Sequence, residues 1–281
     1  MAFYGVRSGF GRHITGQLLA RGDRVAGTVC ELDAMSGPKE NFGDLLWLAH
    51  LDMIDPFEIR RVVNKAFAEL GKIDVIVSNA GYGLFGDSES LTEEQVAEQI
   101  GANVLGPIQV VRAALPHLRR QGGGRIIGLS SYCGQAAFPG ASLFHASKWG
   151  LEGFLDSTAQ ELAPFNIGVT IAERGGSQIG RETDAHGRPP GNPATMVKIT
   201  IDSVNQNPAP KRIVLGSDAW GIIQRALSER LAAVEMQKDL ASSTDIPALA
   251  WPGAARTGGV SNLLHNGEPA TVLGSDERGD I

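Results

Sequence analysis

The chain has 281 residues, 42% of them hydrophobic, which suffices for one large core and at most a modest appendage. Its 25 basic and 31 acidic residues leave a formal charge of −6, which argues against nucleic acid or an anionic membrane as partner, so any phosphate must be held locally. Cys30 and Cys133 are too few for a disulfide framework and lack the spacing of a zinc site, no basic leader precedes an apolar stretch, and no run reaches ~18 apolar residues, so a cytoplasmic, metal-free protein is expected.

In chain order, an abbreviated first strand, Met1 to Tyr4, meets the glycine cluster Gly5 to Gly11 and then a helical pattern from Arg12 to Arg21. Apolar, β-rich runs follow at Arg24 to Val29, Leu46 to Leu51, Ile73 to Ser78, Gly124 to Leu129, Ile167 to Ala172 and Arg212 to Leu215. Helix-period stretches separate them. Asp55-Pro56 opens a helix to Leu70, Thr92-Glu93-Glu94 opens another, and two long helices are expected near Val104 to Gln121 and Ala141 to Pro164. Apolar runs without polar alternation suit strands buried on both faces, and intervening helices supply the crossovers. The pattern predicts a three-layer α/β domain over residues 1–250, with a doubly wound parallel sheet of the Rossmann type. Residues 251–281, rich in Gly, Pro, Ser and acidic residues, read as a flexible extension.

Gly5-Val6-Arg7-Ser8-Gly9-Phe10-Gly11 lies in a strand–turn–helix–strand unit. There glycines permit a sharp turn and close approach of the backbone to a pyrophosphate, which the N–H groups of the helix start would face. Asp52 follows the third strand, where its carboxylate would reach an adenine amino group or simply cap the next helix. Asn79-Ala80-Gly81 ends the fourth strand with small residues suited to an adenosine ribose, or forms an ordinary Asn turn.

From Gly5 to about Leu240 the chain resembles the short-chain dehydrogenase/reductase family, single-domain type. The resemblance rests on Gly5-xxx-Gly9-x-Gly11, Asn79-Ala80-Gly81, Asn103, Ser130-Ser131 and Ala146-Ser147-Lys148. It implies a nicotinamide dinucleotide and a carbonyl or alcohol substrate at the carboxyl edge of the sheet. The implied cofactor contacts are Gly5, Arg7, Ser8, Gly9, Phe10, Gly11, Cys30, Asp52, Met53, Asn79, Ala80, Gly81, Lys148, Gly175 and Ile179. Val29-Cys30, at the end of the second strand, supplies no carboxylate to repel a 2′-phosphate and Arg7 lies in the glycine turn, so NADP is expected, with NAD as the alternative.

In this family Ser, Tyr, Lys and Asn act as a unit, which implies Ser131, Lys148 and Asn103 here. One helical turn before Lys148 stands Phe144, in the tyrosine's place; the spacing 144 − 131 = 13 keeps Ser131 in register. A phenyl ring carries no proton for general acid catalysis. Tyr132 is the candidate substitute; His145, ~100° further round the helix, is expected to face away as a surface or interface histidine. Arg174-Gly175 stands where the family has Pro-Gly, Ile179 where it has a carboxamide-binding Thr, and the stretch from Gly175 to Gly191, with Arg181, Glu182, Asp184 and Arg188, is short for a substrate lid. The departures cluster where nicotinamide and substrate would meet.

Three functions follow: an NAD(P)-dependent reductase of a ketone or aldehyde with atypical proton donation, a non-redox enzyme on the same fold (dehydratase, isomerase or cyclase), or a non-catalytic dinucleotide-binding protein. Tyr82, Phe85, Phe138, Phe144 and Trp149 would line an apolar pocket. The two long helices resemble those that pair family members into homodimers or homotetramers. Val104, Ile108, Val111, Leu115 and Leu118 form an apolar face that would serve such an interface or cover the sheet.

Overall fold

The computed structural model describes residues 2–79, 81–176 and 190–246. The chain divides into two compact units, Met1–Val234 and Glu235–Ile281; the described part of the second holds one short helix, Lys238–Ser243. The expected extension from Trp251 lies outside the described residues.

In the first unit β1 (Ala2–Tyr4), α1 (Gly9–Ala20), β2 (Val25–Val29), α2 (Ser36–Phe42) and β3 (Leu46–His50) form the first half. They are followed by α3 (Pro56–Leu70), β4 (Val75–Ser78), α4 (Glu93–Ile100), α5 (Gly106–Arg120), β5 (Gly124–Ser131), α6 (Ser142–Leu162), β6 (Ile167–Arg174), α7 (Pro193–Asp202), β7 (Arg212–Leu215) and α8 (Ser217–Glu235). All strand pairs are parallel, in the order β3-β2-β1-β4-β5-β6-β7. The order reverses between β1 and β4, and in such sheets the crevice beyond the strand carboxyl ends at that point is the ligand site.

Both faces of the sheet are covered. Ile59, Val62, Val63 and Phe67 of α3, Val110 and Leu118 of α5, and Leu151 and Leu155 of α6 pack with Ile76, Ile126 and Ile171 on one face. On the other, Ile14 and Leu18 of α1 and Met196, Val197 and Ile201 of α7 pack with Val25, Val77 and Ile127. Of the apolar face read along this helix, Val111 and Leu118 are wholly buried in this core, whereas Val104, Ile108 and Leu115 are partly exposed.

Local chemistry sets the element ends. Asp55 caps α3 by accepting from the N–H groups of Phe57 and Glu58 at 2.8 and 3.0 Å, with Pro56 at the first helical position. Thr92 and Gln95 form a reciprocal capping box on α4. The long helix expected from Val104 instead begins as a π-helical turn, Gly101–Leu105, that carries Asn103. β5 and β6 run two residues beyond their apolar stretches, to Ser131 and Arg174. Buried polar side chains, Ser130 and Glu173 among them, continue the ladder there because each finds a charged partner.

Candidate active site

A cavity of about 520 Å³ opens along the carboxyl edge and runs from the glycine turn to the end of β5. At its glycine end Gly5, Arg7, Ser8, Gly9 and Phe10 line the wall, and Gly5 and Gly9 take left-handed backbone angles, φ +81° and +56°. Gly11 lies behind the wall: a Cβ there would stand 1.9 Å from the Gly5 carbonyl oxygen and 2.6 Å from Asn79 Nδ2. Asn79 Nδ2 donates to that same carbonyl at 2.9 Å, tying the end of β4 to the turn. No acidic residue occupies the first turn of α1, and Ser8 places no side-chain cap there, so its N–H groups remain for an anion.

Thr28, Val29 and Cys30 at the end of β2, and Leu51 and Met53 after β3, continue the wall. Asp52 does not. Its Oδ1 accepts from Ile54 N–H at 3.0 Å and its own N–H donates to Glu58, so one carboxylate oxygen closes the turn after β3. Arg7 pairs with Glu31 at 2.8 Å, both side chains exposed; this acidic neighbour of the β2 end escaped a reading that stopped at Cys30. Ala80 and Ile179 lie outside the described residues, as do Arg181, Glu182, Asp184 and Arg188. Gly81 and Gly175 line the cavity.

At the other end Ser131, Tyr132, Cys133, Phe144, Lys148 and Arg174 meet. Ser131 is buried, lines the cavity, and its Oγ accepts from Cys133 N–H at 3.3 Å. Tyr132 opens a 3-10 turn, Tyr132–Gly134, that swings its phenol to the same cavity as Ser131, against the alternation of a regular strand. Burial pushes the Tyr132 phenol up to about 12, so it stays protonated. Phe144 lines the cavity one helical turn before Lys148, its ring 5.8 Å from that of Phe85.

Lys148, only 8% exposed, donates from Nζ to the Leu129 carbonyl at 3.1 Å and lies 5.6 Å from the Phe144 ring centre, at the outer limit of a cation–π contact. Burial and then the positive field of Arg174 lower its pKa to about 8. Asn103 is buried behind the wall: Oδ1 accepts from Tyr82 N–H at 3.0 Å and Nδ2 donates to the Tyr82 carbonyl at 2.6 Å, so its amide clamps the Gly81–Tyr82 backbone. A Cβ on Gly81 would meet Asn103 Oδ1 at 3.0 Å.

His145 corrects the expectation of a surface histidine. It is buried, accepts from Phe138 N–H at Nε2 and therefore donates from Nδ1 to the Cys133 carbonyl at 3.0 Å. The two ring nitrogens thus brace the 132–134 turn at Cys133 and the loop after it at Phe138. Tyr82, Phe85, Phe138 and Phe144 line the cavity, whereas Trp149 does not: it is 41% exposed and packs beneath Arg230.

Beneath this end lies a buried ionic network. Glu152, one turn beyond Lys148, accepts from Ser130 Oγ, Gln135 Nε2 and Arg212, and Arg212 also bridges to Glu173 and Asp156. Gly134 admits it, since a Cβ there would stand 1.9 Å from Glu152 Oε1. Burial and the neighbouring Glu152 hold the Glu173 carboxyl above the ordinary range, against the pull of Arg212. Among the described residues no cluster of His, Cys, Asp and Glu could hold a metal, and no helix is long and apolar enough to cross a membrane.

The residues present fit a dinucleotide: the glycine turn leaves no room for a Cβ at Gly11, the α1 N-terminus carries no acid, and no carboxylate appears among the described lining residues. Known proteins agree. A 3-ketodihydrosphingosine reductase of Bacteroides thetaiotaomicron is 35% identical over 63% of this chain, and oxidoreductase BOA17 of Botryotinia fuckeliana is 27% identical over 84%. The chain spans 63% of the first protein and 95% of the second. A crystal structure of a short-chain dehydrogenase from Streptomyces avermitilis superposes with a TM-score of 0.80 at 29% identity, covering 87% of this chain and 99% of that one. A metagenomic short-chain oxidoreductase solved with NADP shares the fold at 23% identity, with a TM-score of 0.67, covering 76% of this chain and 94% of that one. Residues 2–183 match the family model of the short chain dehydrogenases, and the chain belongs to that family of oxidoreductases.

Proposed function

We propose that the chain is a nicotinamide dinucleotide-dependent oxidoreductase that interconverts a carbonyl and an alcohol, with NADP as the preferred cofactor. The observation that carries this reading is one cavity that joins the glycine turn to Ser131, Tyr132 and Lys148. The bound dinucleotide would supply or accept the hydride. Arg7 would turn from Glu31 to a 2′-phosphate, and the N–H groups of α1 would hold the pyrophosphate.

Ser131 turns its hydroxyl to the substrate oxygen and donates a hydrogen bond where negative charge develops. Lys148 adds positive charge to the same end and offers its ammonium to the ribose. Tyr132 supplies the proton: an alkoxide is a stronger base than a phenolate, so even a phenol raised to about 12 gives up its proton to the product oxygen. Asn103 and His145 hold the walls and stay out of the reaction.

A titration with NADPH and NADH, followed by turnover on a panel of ketones and aldehydes, tests this reading. NADPH should bind more tightly, be consumed with a suitable carbonyl, and be consumed at least ~100-fold more slowly by Tyr132→Phe. Phe144 favours a second reading, a dinucleotide-binding protein without reductase chemistry. That reading prevails if NADPH binds, the native chain consumes none across the panel, and Phe144→Tyr creates the activity. A homodimer or homotetramer forms part of the proposal, and light scattering checks it.

A further inference from the structure

As a proton donor Tyr132 stands on a turn, whereas Lys148, in the same cavity, stands on the long helix α6. The turn, Tyr132–Gly134, is a single 3-10 stretch, and hydrogen bonds in such a stretch have poorer geometry than those of an α-helix. Proton transfer needs the phenol held within hydrogen-bond reach of the substrate oxygen, so the turn requires anchors outside itself.

Helix α6 supplies them at intervals of about one turn. His145 donates to the Cys133 carbonyl, Lys148 donates to the Leu129 carbonyl, and Glu152 completes the frame. Glu152 is 2% exposed; its Oε1 accepts from Ser130 Oγ and its Oε2 from Gln135 Nε2, each at 2.5 Å. Ser130 precedes residues 131–134 and Gln135 follows them, so one carboxylate fastens both ends of the segment that carries Ser131 and Tyr132. It also presses on that segment's backbone, since a Cβ on Gly134 would stand 1.9 Å from its Oε1 and 2.4 Å from its Cδ. Arg212 donates to Oε2 at 2.5 Å, and Arg230 donates to the Gln135 carbonyl, so the carboxylate and the far end of the segment are each held from a second side. A carboxylate suits this place because it only accepts, and the three side chains that reach it are donors.

We infer that Glu152 is a positioning residue for proton transfer: by joining Ser130 to Gln135 it holds residues 131–134 in the shape that keeps the Tyr132 phenol in the cavity beside Ser131. This inference rests on the oxidoreductase reading and adds to it the residue that sets the donor in place.

Turnover of NADPH with a carbonyl that the native chain accepts gives the first test. Glu152→Ala removes every tie and should lower kcat about ten- to a hundredfold, with NADPH affinity unchanged within about twofold. Glu152→Gln keeps an oxygen for Gln135 and Arg212 and offers its amide to Ser130, so it should return kcat to within about threefold of native. A Glu152→Gln protein as slow as Glu152→Ala would assign the effect to charge and overturn the inference. Thermal melting shows whether Glu152→Ala folds; if it does not, Gln135→Met cuts the far tie alone and should lower kcat about fivefold or more. Placed in a Tyr132→Phe protein, either substitution should add no more than about a threefold loss, because the group it positions is already gone. A larger further loss, or a native kcat in Gln135→Met, overturns the inference.

A second readout needs no activity. The chain has three tyrosines, so with carbon-13-labelled tyrosine the NMR signal of Tyr132 is the one missing from Tyr132→Phe. It should move or broaden in Gln135→Met while the other two stay in place; an unmoved Tyr132 signal overturns the inference. If the native chain reduces no carbonyl with NADPH, the oxidoreductase reading fails, and this signal still decides whether Glu152 holds the turn.

Discussion

At the glycine end of the cavity the backbone does the shaping, with Gly11 pressed behind the Gly5 carbonyl and Asn79 bonded to it. At the Ser131 end buried charge does it, with Arg212 bridging Glu152 and Glu173 beneath the strand ends. The first arrangement is built from backbone and one amide side chain, so changes of pH leave its shape alone. The second joins residues far apart in the chain and ties the position of Ser131 to the ionisation of its supports. A dinucleotide grip and a reacting centre on one sheet can therefore fail separately, and substitutions at either end expose the difference.

The largest effect belongs to the network. Arg212→Met strands two buried carboxylates and should cost about 3–5 kcal/mol in denaturant unfolding at pH 8. The loss should shrink toward pH 5. Glu173 has a folded pKa above its unfolded value, so stability falls as pH rises through that raised pKa, and the more so without the arginine. A pH-independent loss would show that the network holds the site by packing alone.

Next comes the glycine end, where Gly11→Ala drives a methyl into the Gly5 carbonyl and should cost about 3 kcal/mol, with NADPH binding lost and no dependence on pH. Ser131→Ala should lower kcat by about a hundredfold while NADPH binding persists. The smallest effect is a shift of the pH profile. Activity should fall as pH rises through about 8, where Lys148 loses its proton, and in Arg174→Met that limb should move upward because a repelling cation is gone. An unmoved limb would separate Arg174 from Lys148.

These two ends also differ in how plainly the chain spells them. The turn from Gly5 to Gly11 is legible because each glycine answers a backbone need within a few residues, and Asp55-Pro56 and Thr92 announce their helices in the same local way. The parallel, doubly wound sheet followed from unbroken apolar runs covered on both faces. The last two residues of β5 and β6 broke those runs with polar side chains, so the strand ends that carry Ser131 and Arg174 were read too short. What lets these strand ends stay buried is Glu152, 22 residues beyond its partner Ser130, and Arg212, 39 beyond its partner Glu173, pairs that only the fold brings together. His145 was misread for a similar reason: helix angle alone put it outward, while the segment from Cys133 to Phe138 wraps over it and takes both its nitrogens. For Asp52 the position after a strand left two roles open, an adenine contact or a cap, and its Oδ1 accepts from Ile54 N–H within its own turn.

The independence of the two ends is tested most directly by single-turnover oxidation of bound NADPH, followed by its fluorescence, on addition of a carbonyl that the native chain accepts. The native protein should show the fluorescence decay, and Ser131→Ala should bind NADPH with the same affinity yet lose the signal about a hundredfold more slowly. A decay in Ser131→Ala as fast as in the native chain, or loss of NADPH binding in that variant, would contradict the assignment of grip and chemistry to separate ends of the cavity.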